Sequence, residues 1–217
     1  MNIAIDNYTS VAEEMPVSGD MENETQIAGD CLEPAYGVFD TYDFELAYYF
    51  MVREILFKGL SDCPEIRFTV FPSFKPESVL EISFDSEERK YYAVYHVCEQ
   101  SIWNSDADTG NIRVIGYKAE IDERSVVLIR SVFTAAIAQT GFFKGRDLGI
   151  DGTNYCFSIF DCGLKSGTVW SPQEGRMKKL VDIGKTLVEL VKSSRETIVI
   201  GDSVRRDAIN LRARLIP

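Results

Sequence analysis

The chain has 217 residues, of which 45% are hydrophobic and 12% aromatic, and this is enough to bury the core of a single domain. Its net charge of -11 argues against binding to nucleic acid, because contact with the phosphate backbone needs a clustered basic surface. It has no apolar run near the roughly 18 residues of a membrane span, no signal peptide and no paired short spacing among its five cysteines. We therefore expect a cytoplasmic protein that contacts neither nucleic acid nor membrane and holds no cofactor, metal or disulfide.

The first part of the chain, residues 1–38, is predicted to be a flexible acidic leader. Residues 1–35 contain eight Asp or Glu and no Lys or Arg, and Pro16 and Pro34 interrupt them. A segment of this composition buries too little apolar surface to fold by itself. The end of the chain, residues 196–217, is basic and is predicted to be an extension, so the two ends could attract each other.

The first predicted helix spans residues 41–60. Acidic residues lie in its first turn, and Gly59 is placed to end it. Its apolar residues nearly encircle the helix: they are Phe44, Leu46, Ala47, Tyr48, Phe50, Met51, Ile55 and Leu56. Such a helix has to be covered on most sides, so we expect it to lie between a sheet and another element.

Four strands are predicted after this helix, because apolar and polar residues alternate there. They span residues 66–70, 80–84, 90–97 and 112–121. The links between them are rich in turn residues, which is typical of hairpins. The pattern therefore predicts an antiparallel meander.

Two more helices and a fifth strand complete the predicted elements. Asp122 opens a helix with an apolar stripe, and a strand over residues 155–159 follows it. Ser171 and Glu174 are spaced as a capping box at the start of a long amphipathic helix. The residues before it, 162–167, contain two glycines and are predicted to form a mobile turn.

Together these elements predict one α+β domain over residues 39–195. Its antiparallel sheet should have about five strands, covered by two or three helices.

One short motif near the end of the chain resembles a catalytic block. Residues 198–203 form an apolar strand that runs into Gly201, Asp202 and Ser203, and this resembles the nucleophile block of the GDSL hydrolases. The resemblance covers six residues, and such enzymes also need a histidine base after the serine. The single histidine, His96, lies far upstream. We therefore expect Ser203 not to be a nucleophile.

Two other groups of residues have a structural interpretation that is commoner than the chemical one. His96 and Cys98 lie on the same face of a predicted strand, where a core histidine is commoner than a general base. A second histidine that would anchor a zinc site is missing. Residues 104–110 resemble a calcium loop but lack the glycine and the late glutamate that the motif requires, so a solvated hairpin loop is expected.

The acidic charge and the lack of a complete catalytic motif favour a non-enzymatic binding protein. We predict an immunity protein that inhibits a bacterial toxin or effector by direct binding, since an acidic protein is steered towards a basic one. The tryptophans are either packed at the rim of the domain or recognition anchors, and the Asp161 turn is expected beside Trp170. The candidate partner-binding residues are Trp103, Asp106, Asp108, Asp161 and Trp170.

Two alternatives stay open. One is an enzyme of unrecognised type that uses His96 and Cys98, or Asp202 and Ser203. The other is a structural or regulatory subunit of a bacterial assembly.

Overall fold

The computed structural model describes residues 30–35, 43–104, 112–142 and 151–216. Within these ranges the chain has an α+β fold with seven strands and four helices. In chain order the elements are β1 (Glu33–Pro34), α1 (Asp43–Leu56), β2 (Ile66–Pro72), β3 (Ser78–Asp85), β4 (Lys90–Cys98), β5 (Val114–Ile121), α2 (Glu123–Ala138), β6 (Thr153–Phe160), β7 (Leu164–Trp170), α3 (Gly175–Ser193) and α4 (Asp202–Leu215). None of these described helices is long and apolar enough to cross a membrane.

The described strands form one antiparallel open sheet in the order β1-β7-β6-β2-β3-β4-β5. Strands β2 to β5 are neighbours in chain order, which confirms the predicted meander. Strand β6 pairs with the other side of β2 and continues into β7 through a hairpin at residues 161–163. Successive side chains point to opposite faces of the sheet, so the alternation in the sequence separates an apolar face from a more polar one.

The predicted count of five strands was too low, because β1 and β7 were not expected. The first four residues of β7 belong to residues 162–167, which were predicted to form a mobile turn. Its centre has only small or polar side chains, so it lacks the apolar alternation that marks a strand, yet it pairs with β6 over its whole length. Gly167 also allows β1 to approach, because a Cβ atom there would lie 2.9 Å from the Cβ of Leu32.

Three of the helices build the main core on one face of the sheet. Helices α2 and α3 contact the sheet directly, and α4 packs against both of them. The prediction that Asp122 opens α2 is confirmed, since its Oδ1 accepts a hydrogen bond from the Ser125 N–H at 3.2 Å. The C-terminal residues 196–217 supply further buried side chains to this core: Ile198, Ile200, Ala208, Leu211 and Leu215.

Helix α1 lies on the opposite face of the sheet. Its Tyr48, Val52 and Leu56 form a second apolar cluster with residues of β3, β4 and the turn after β4. The expectation that α1 is covered on most sides was wrong, because the Phe50 side chain is 66% exposed and Ala47 is exposed as well. Among the described residues, only one side of the helix is packed against other elements.

Helix α3 does not begin at the predicted capping box. Ser171 has a φ of 37° and pairs with β6, where its Oγ accepts from the Thr153 N–H at 2.7 Å. The helix starts at Gly175, and the side chain of Glu174 makes no capping hydrogen bond. The cap comes from far away in the sequence instead, since Asp30 Oδ1 accepts from the Arg176 N–H at 2.7 Å.

The same short segment, residues 30–35, is built into the fold. Cys31 and Leu32 are buried, and the Leu32 carbonyl accepts from the Gly141 N–H at 3.0 Å. Glu33 and Pro34 pair with β7. The rest of the predicted leader, residues 1–29 and 36–38, lies outside the described residues.

Candidate protein-binding surface

A buried carboxylate organises one end of the sheet. Glu77 precedes β3 and is fully buried. Its oxygens accept hydrogen bonds from the Tyr48 hydroxyl at 3.0 Å and the Ser101 hydroxyl at 3.2 Å. They also accept from the peptide N–H groups of Ile102 at 2.7 Å and Trp103 at 3.2 Å. A buried charge is costly unless it is hydrogen-bonded, so these donors hold the turn after β4 against α1.

Burial and the Glu77 carboxylate together raise the pKa of two neighbouring groups. Burial and the nearby carboxylate raise the pKa of the Tyr48 hydroxyl far above its usual range. The same two causes raise the pKa of the Cys98 thiol to about 12. Both groups are therefore neutral at physiological pH, and Tyr48 keeps the proton that it donates to Glu77.

Four aromatic rings cluster above this carboxylate, and we call Tyr48, Tyr49, Phe71 and Trp103 the aromatic cluster. The ring of Tyr48 lies 5.0 Å from that of Trp103 and 5.3 Å from that of Tyr49, between centroids. Tyr49 meets Phe71 at 5.6 Å in an edge-to-face contact. The Trp103 side chain is 49% exposed although its backbone is fixed, so it presents a positioned aromatic surface to solvent.

Trp170 lies at the same end of the sheet and on the same face. Phe71 pairs with Asn154, and Asn154 pairs with Trp170. The two aromatic residues are thus two strands apart, or about 10 Å at the usual strand spacing. The Trp170 ring rests on the backbone of Gly152, where a Cβ atom would lie 2.6 Å from it. Trp170 is 38% exposed, so it extends the exposed aromatic surface along this end.

The structure separates Asp161 from Trp170. Asp161 lies in the turn between β6 and β7, whereas Trp170 lies at the other end of that hairpin. Seven residues of β7 put about 20 Å between the two ends, so the expectation that they are neighbours was wrong. Asp161 pairs instead with Lys165 at 2.6 Å. Asp106 and Asp108 lie outside the described residues.

A buried ion pair lies on the same face of the sheet as α1. Arg67 Nη2 lies 2.6 Å from Glu81 Oε2, and the guanidinium sits 4.7 Å from the centroid of the Phe57 ring. Both partners of this ion pair are buried, so each charge depends on the other. The pair fixes the chain after α1 on the sheet, which is a structural role.

The two pairs of residues considered for catalysis, His96 with Cys98 and Asp202 with Ser203, lie on opposite sides of the sheet. His96 Nδ1 lies 2.9 Å from the Leu56 carbonyl at the end of α1. Cys98 is on the same face, as predicted, but its raised pKa makes it a poor nucleophile. Ser203 is exposed in the first turn of α4, on the other side of the sheet from His96. Among the described residues, no group of three or more His, Cys, Asp or Glu could hold a metal ion.

The sequence did not predict that Glu77 and the aromatic cluster come together. The residues come from α1, the end of β2, the start of β3 and the turn after β4, and no short motif joins them. A single glutamate before an apolar strand was the one available signal. Comparison with protein-family models, with curated proteins and with solved structures yields no match.

Proposed function

We propose that this protein is a non-enzymatic binding protein of the immunity type, which inhibits a basic toxin or effector by binding it directly. The observation that carries the proposal is the exposed Trp103 ring, whose backbone is anchored by the buried Glu77 carboxylate. Trp103 is the central contact in this proposal, and Trp170 is a second contact on the same end of the sheet.

The physical argument begins with what a tryptophan supplies to an interface. Tryptophan and tyrosine are enriched among the few residues that dominate binding energy, because they bury a large area when the partner docks. A ring that is already positioned loses little conformational freedom on binding. The contact between Trp103 and Tyr48, together with the hydrogen bond from the Trp103 backbone to Glu77, supports this kind of pre-organisation.

The charge of the chain supports a basic partner. A net charge of -11 attracts a basic protein over distances of about a Debye length and speeds their encounter. The loop with Asp106 and Asp108 begins and ends near the aromatic cluster, because Asn104 follows Trp103 directly and Ile112 packs against the second apolar cluster. We place these carboxylates at the rim of the proposed surface.

The proposal is tested by isolating the partner and measuring its affinity. The full chain is purified from its native cell, a co-purifying protein is identified by mass spectrometry, and binding of the two purified proteins is measured. Trp103→Ala should weaken binding roughly 30-fold or more, which corresponds to about 2 kcal/mol. The matched control is Ile209→Ala, which removes an exposed apolar side chain from α4 on the other side of the sheet.

The inhibitory role needs its own measurement. An equimolar amount of this protein should abolish the activity of the purified partner, and the Trp103→Ala variant should require a higher concentration to do so. A partner that stays active in the complex would refute the immunity role. Equal losses of affinity for Trp103→Ala and Ile209→Ala would refute the proposed binding surface around Trp103. Turnover of a substrate by the chain without any partner would favour an enzyme.

A further inference from the structure

A groove of about 500 Å³ runs between α2 and α4, far from the aromatic cluster. Its walls include Val127, Ala135 and Ala138 of α2, and Ile216 beyond the end of α4. Val127 and Ile216 are exposed, so the groove offers apolar surface to an occupant. Nothing in the proposed function uses this groove.

The rim of the groove is basic. Arg130 lines it, but its Nε lies 3.0 Å from Glu65 and its Nη2 donates to the Phe160 carbonyl at 2.8 Å. Arg212 also lines it, is exposed, and forms no ion pair with any residue in the described ranges. Helix α4 adds Arg205, Arg206 and Arg214 against Asp202 and Asp207, so an acidic occupant fits this side of the molecule.

Asp30, where the described part of the N-terminal chain begins, lies beside one end of this groove. Asp30 binds the Arg176 side chain, with Oδ2 2.9 Å from Nε. The same guanidinium donates to the Arg214 carbonyl at 3.0 Å and to Gln139 Oε1 at 3.4 Å. Gln139 follows Ala138 directly, and its own amide donates to the Leu215 carbonyl. Asp30 therefore lies next to the end of the groove that Ala138 and Ile216 form.

The segment that precedes Asp30 is complementary in charge to the basic rim of the groove. Residues 1–29 contain six Asp or Glu and no Lys or Arg. Ile27 is three residues before Asp30, so it can reach about 10 Å from that anchor, and Glu24 can reach about 20 Å. A tether this short gives the segment an effective concentration in the millimolar range at the groove.

We infer that the groove between α2 and α4 is a docking site for the chain's own N-terminal segment, with Ile27 on its apolar floor and Glu24 paired with Arg212. This contact covers apolar surface of α2 and neutralises part of the basic charge of α4. Only the Ile27 side chain and the ion pair between Glu24 and Arg212 hold this contact, so it opens at high ionic strength, which screens the ion pair.

The contact can be observed directly by NMR in the full chain. With methyl-labelled isoleucine and alanine, the Ile27 methyl should give nuclear Overhauser effects to the Ala135 or Ala138 methyl at low salt. The variant Arg212→Glu should lose them, and Arg195→Glu, the same charge change at an exposed position that does not line the groove, should keep them. The double exchange Glu24→Arg with Arg212→Glu should restore them. About 1 M salt, where the Debye length is about 3 Å, should weaken them in the wild type.

Three outcomes would overturn the inference. The first is the absence of these methyl contacts in the wild-type chain at low salt. The second is their survival in Arg212→Glu, or in Arg212→Gln if the first variant does not fold. The third is a contact that appears only between molecules in a mixed-label sample, because the occupant would then be the segment of a second copy.

Discussion

Asp30 and Arg176 lie 146 residues apart in the chain and make a two-point contact at the start of α3. One carboxylate oxygen accepts from the Arg176 peptide N–H at 2.7 Å, and the other lies 2.9 Å from its Nε. Asp30 thus acts as the helix cap that the local sequence does not supply. It also binds segment 30–35 to α3 and, through Arg176, to the end of α4.

The first prediction concerns this cap. Asp30→Ala should lower the free energy of unfolding by about 1–2 kcal/mol, because a helix N-terminus loses its acceptor and Arg176 loses its partner. Asp30→Asn should lose less, since an amide oxygen can still cap Arg176. Urea denaturation measures both, and Asp62→Ala, which removes an exposed carboxylate 3.9 Å from Arg53, is the control with an expected change within about 0.5 kcal/mol. Equal effects for Asp30→Ala and Asp62→Ala would contradict the capping role.

The second prediction concerns the buried carboxylate. Glu77→Ala should destabilise the fold by about 3 kcal/mol, because Tyr48, Ser101 and the peptide groups of Ile102 and Trp103 lose a charged acceptor together. Glu99→Ala is the matched control, since Glu99 is a more exposed carboxylate that pairs with Arg113 at 3.5 Å, and its loss should cost less than about 0.5 kcal/mol. Chemical denaturation of the two variants compares them. A Glu77→Ala protein as stable as Glu99→Ala would show that Glu77 does not anchor the turn.

The third prediction concerns the contact between β1 and β7. Gly167→Ala should cost about 1–3 kcal/mol, because the added methyl group would lie 2.9 Å from both the Leu32 Cβ and the Thr140 Oγ1. Gly116→Ala makes the same change in β5, where the nearest atom of His96 is 3.4 Å away, and should be nearly neutral. Hydrogen exchange at the Gly141 amide, which donates to the Leu32 carbonyl, should speed up only in Gly167→Ala. Unchanged protection of that amide would contradict the prediction.

The fourth prediction concerns Cys98 at alkaline pH. Its pKa rises from 9.0 to about 12 in the fold, so the folded state holds a proton that the unfolded state releases. The stabilisation that the protonated thiol gives the folded state is fully present below pH 9. Between pH 9 and 12 the free energy of unfolding loses this stabilisation by about 1.4 kcal/mol per pH unit. In Cys98→Ala the free energy of unfolding should fall less steeply over that range, as measured by urea denaturation at several pH values. Equal slopes in the two proteins would contradict the raised pKa.

A labelling experiment checks the environment of the cysteines separately. Cys63 and Cys162 are exposed, whereas Cys31 and Cys98 are buried. Iodoacetamide at pH 8 should modify the exposed pair first, because the thiolate is the reactive form and burial also blocks access. Peptide mapping by mass spectrometry reads the order of modification. Early labelling of Cys98 would mean that the second apolar cluster opens readily.

The fifth prediction rests on the proposed function and concerns the acidic rim. Asp108→Asn should lower the association rate with the basic partner and reduce its dependence on salt, with little effect on dissociation. Asp161→Asn removes the same charge from the turn between β6 and β7, at the end of that hairpin opposite Trp170. It should have a smaller effect. Trp170→Ala should mainly raise the dissociation rate. Stopped-flow binding at several salt concentrations measures these rates, and equal effects of the two Asp variants would place the partner elsewhere.

The local sequence was sufficient to predict most of the regular elements. Alternating residues such as Ile66, Phe68 and Val70 identify β2, because a half-buried strand needs an apolar residue at every second position. Asp122 marks the start of α2, because its side chain reaches a donor only three residues away. The order of helix and strand patterns along the chain also predicted the α+β fold.

Contacts between distant residues decided the remainder. Strand β7 has no apolar alternation of its own and exists because β6 supplies its hydrogen-bond partners. The cap of α3 comes from Asp30, and the capping box that was predicted at Ser171 and Glu174 does not form. Trp103 and Trp170 share one end of the sheet, and Asp161 does not, because strand register sets their positions and register depends on pairing between strands. The burial of Glu77 likewise needs donors from two separate stretches of chain, α1 and the turn after β4, which only the tertiary fold brings together.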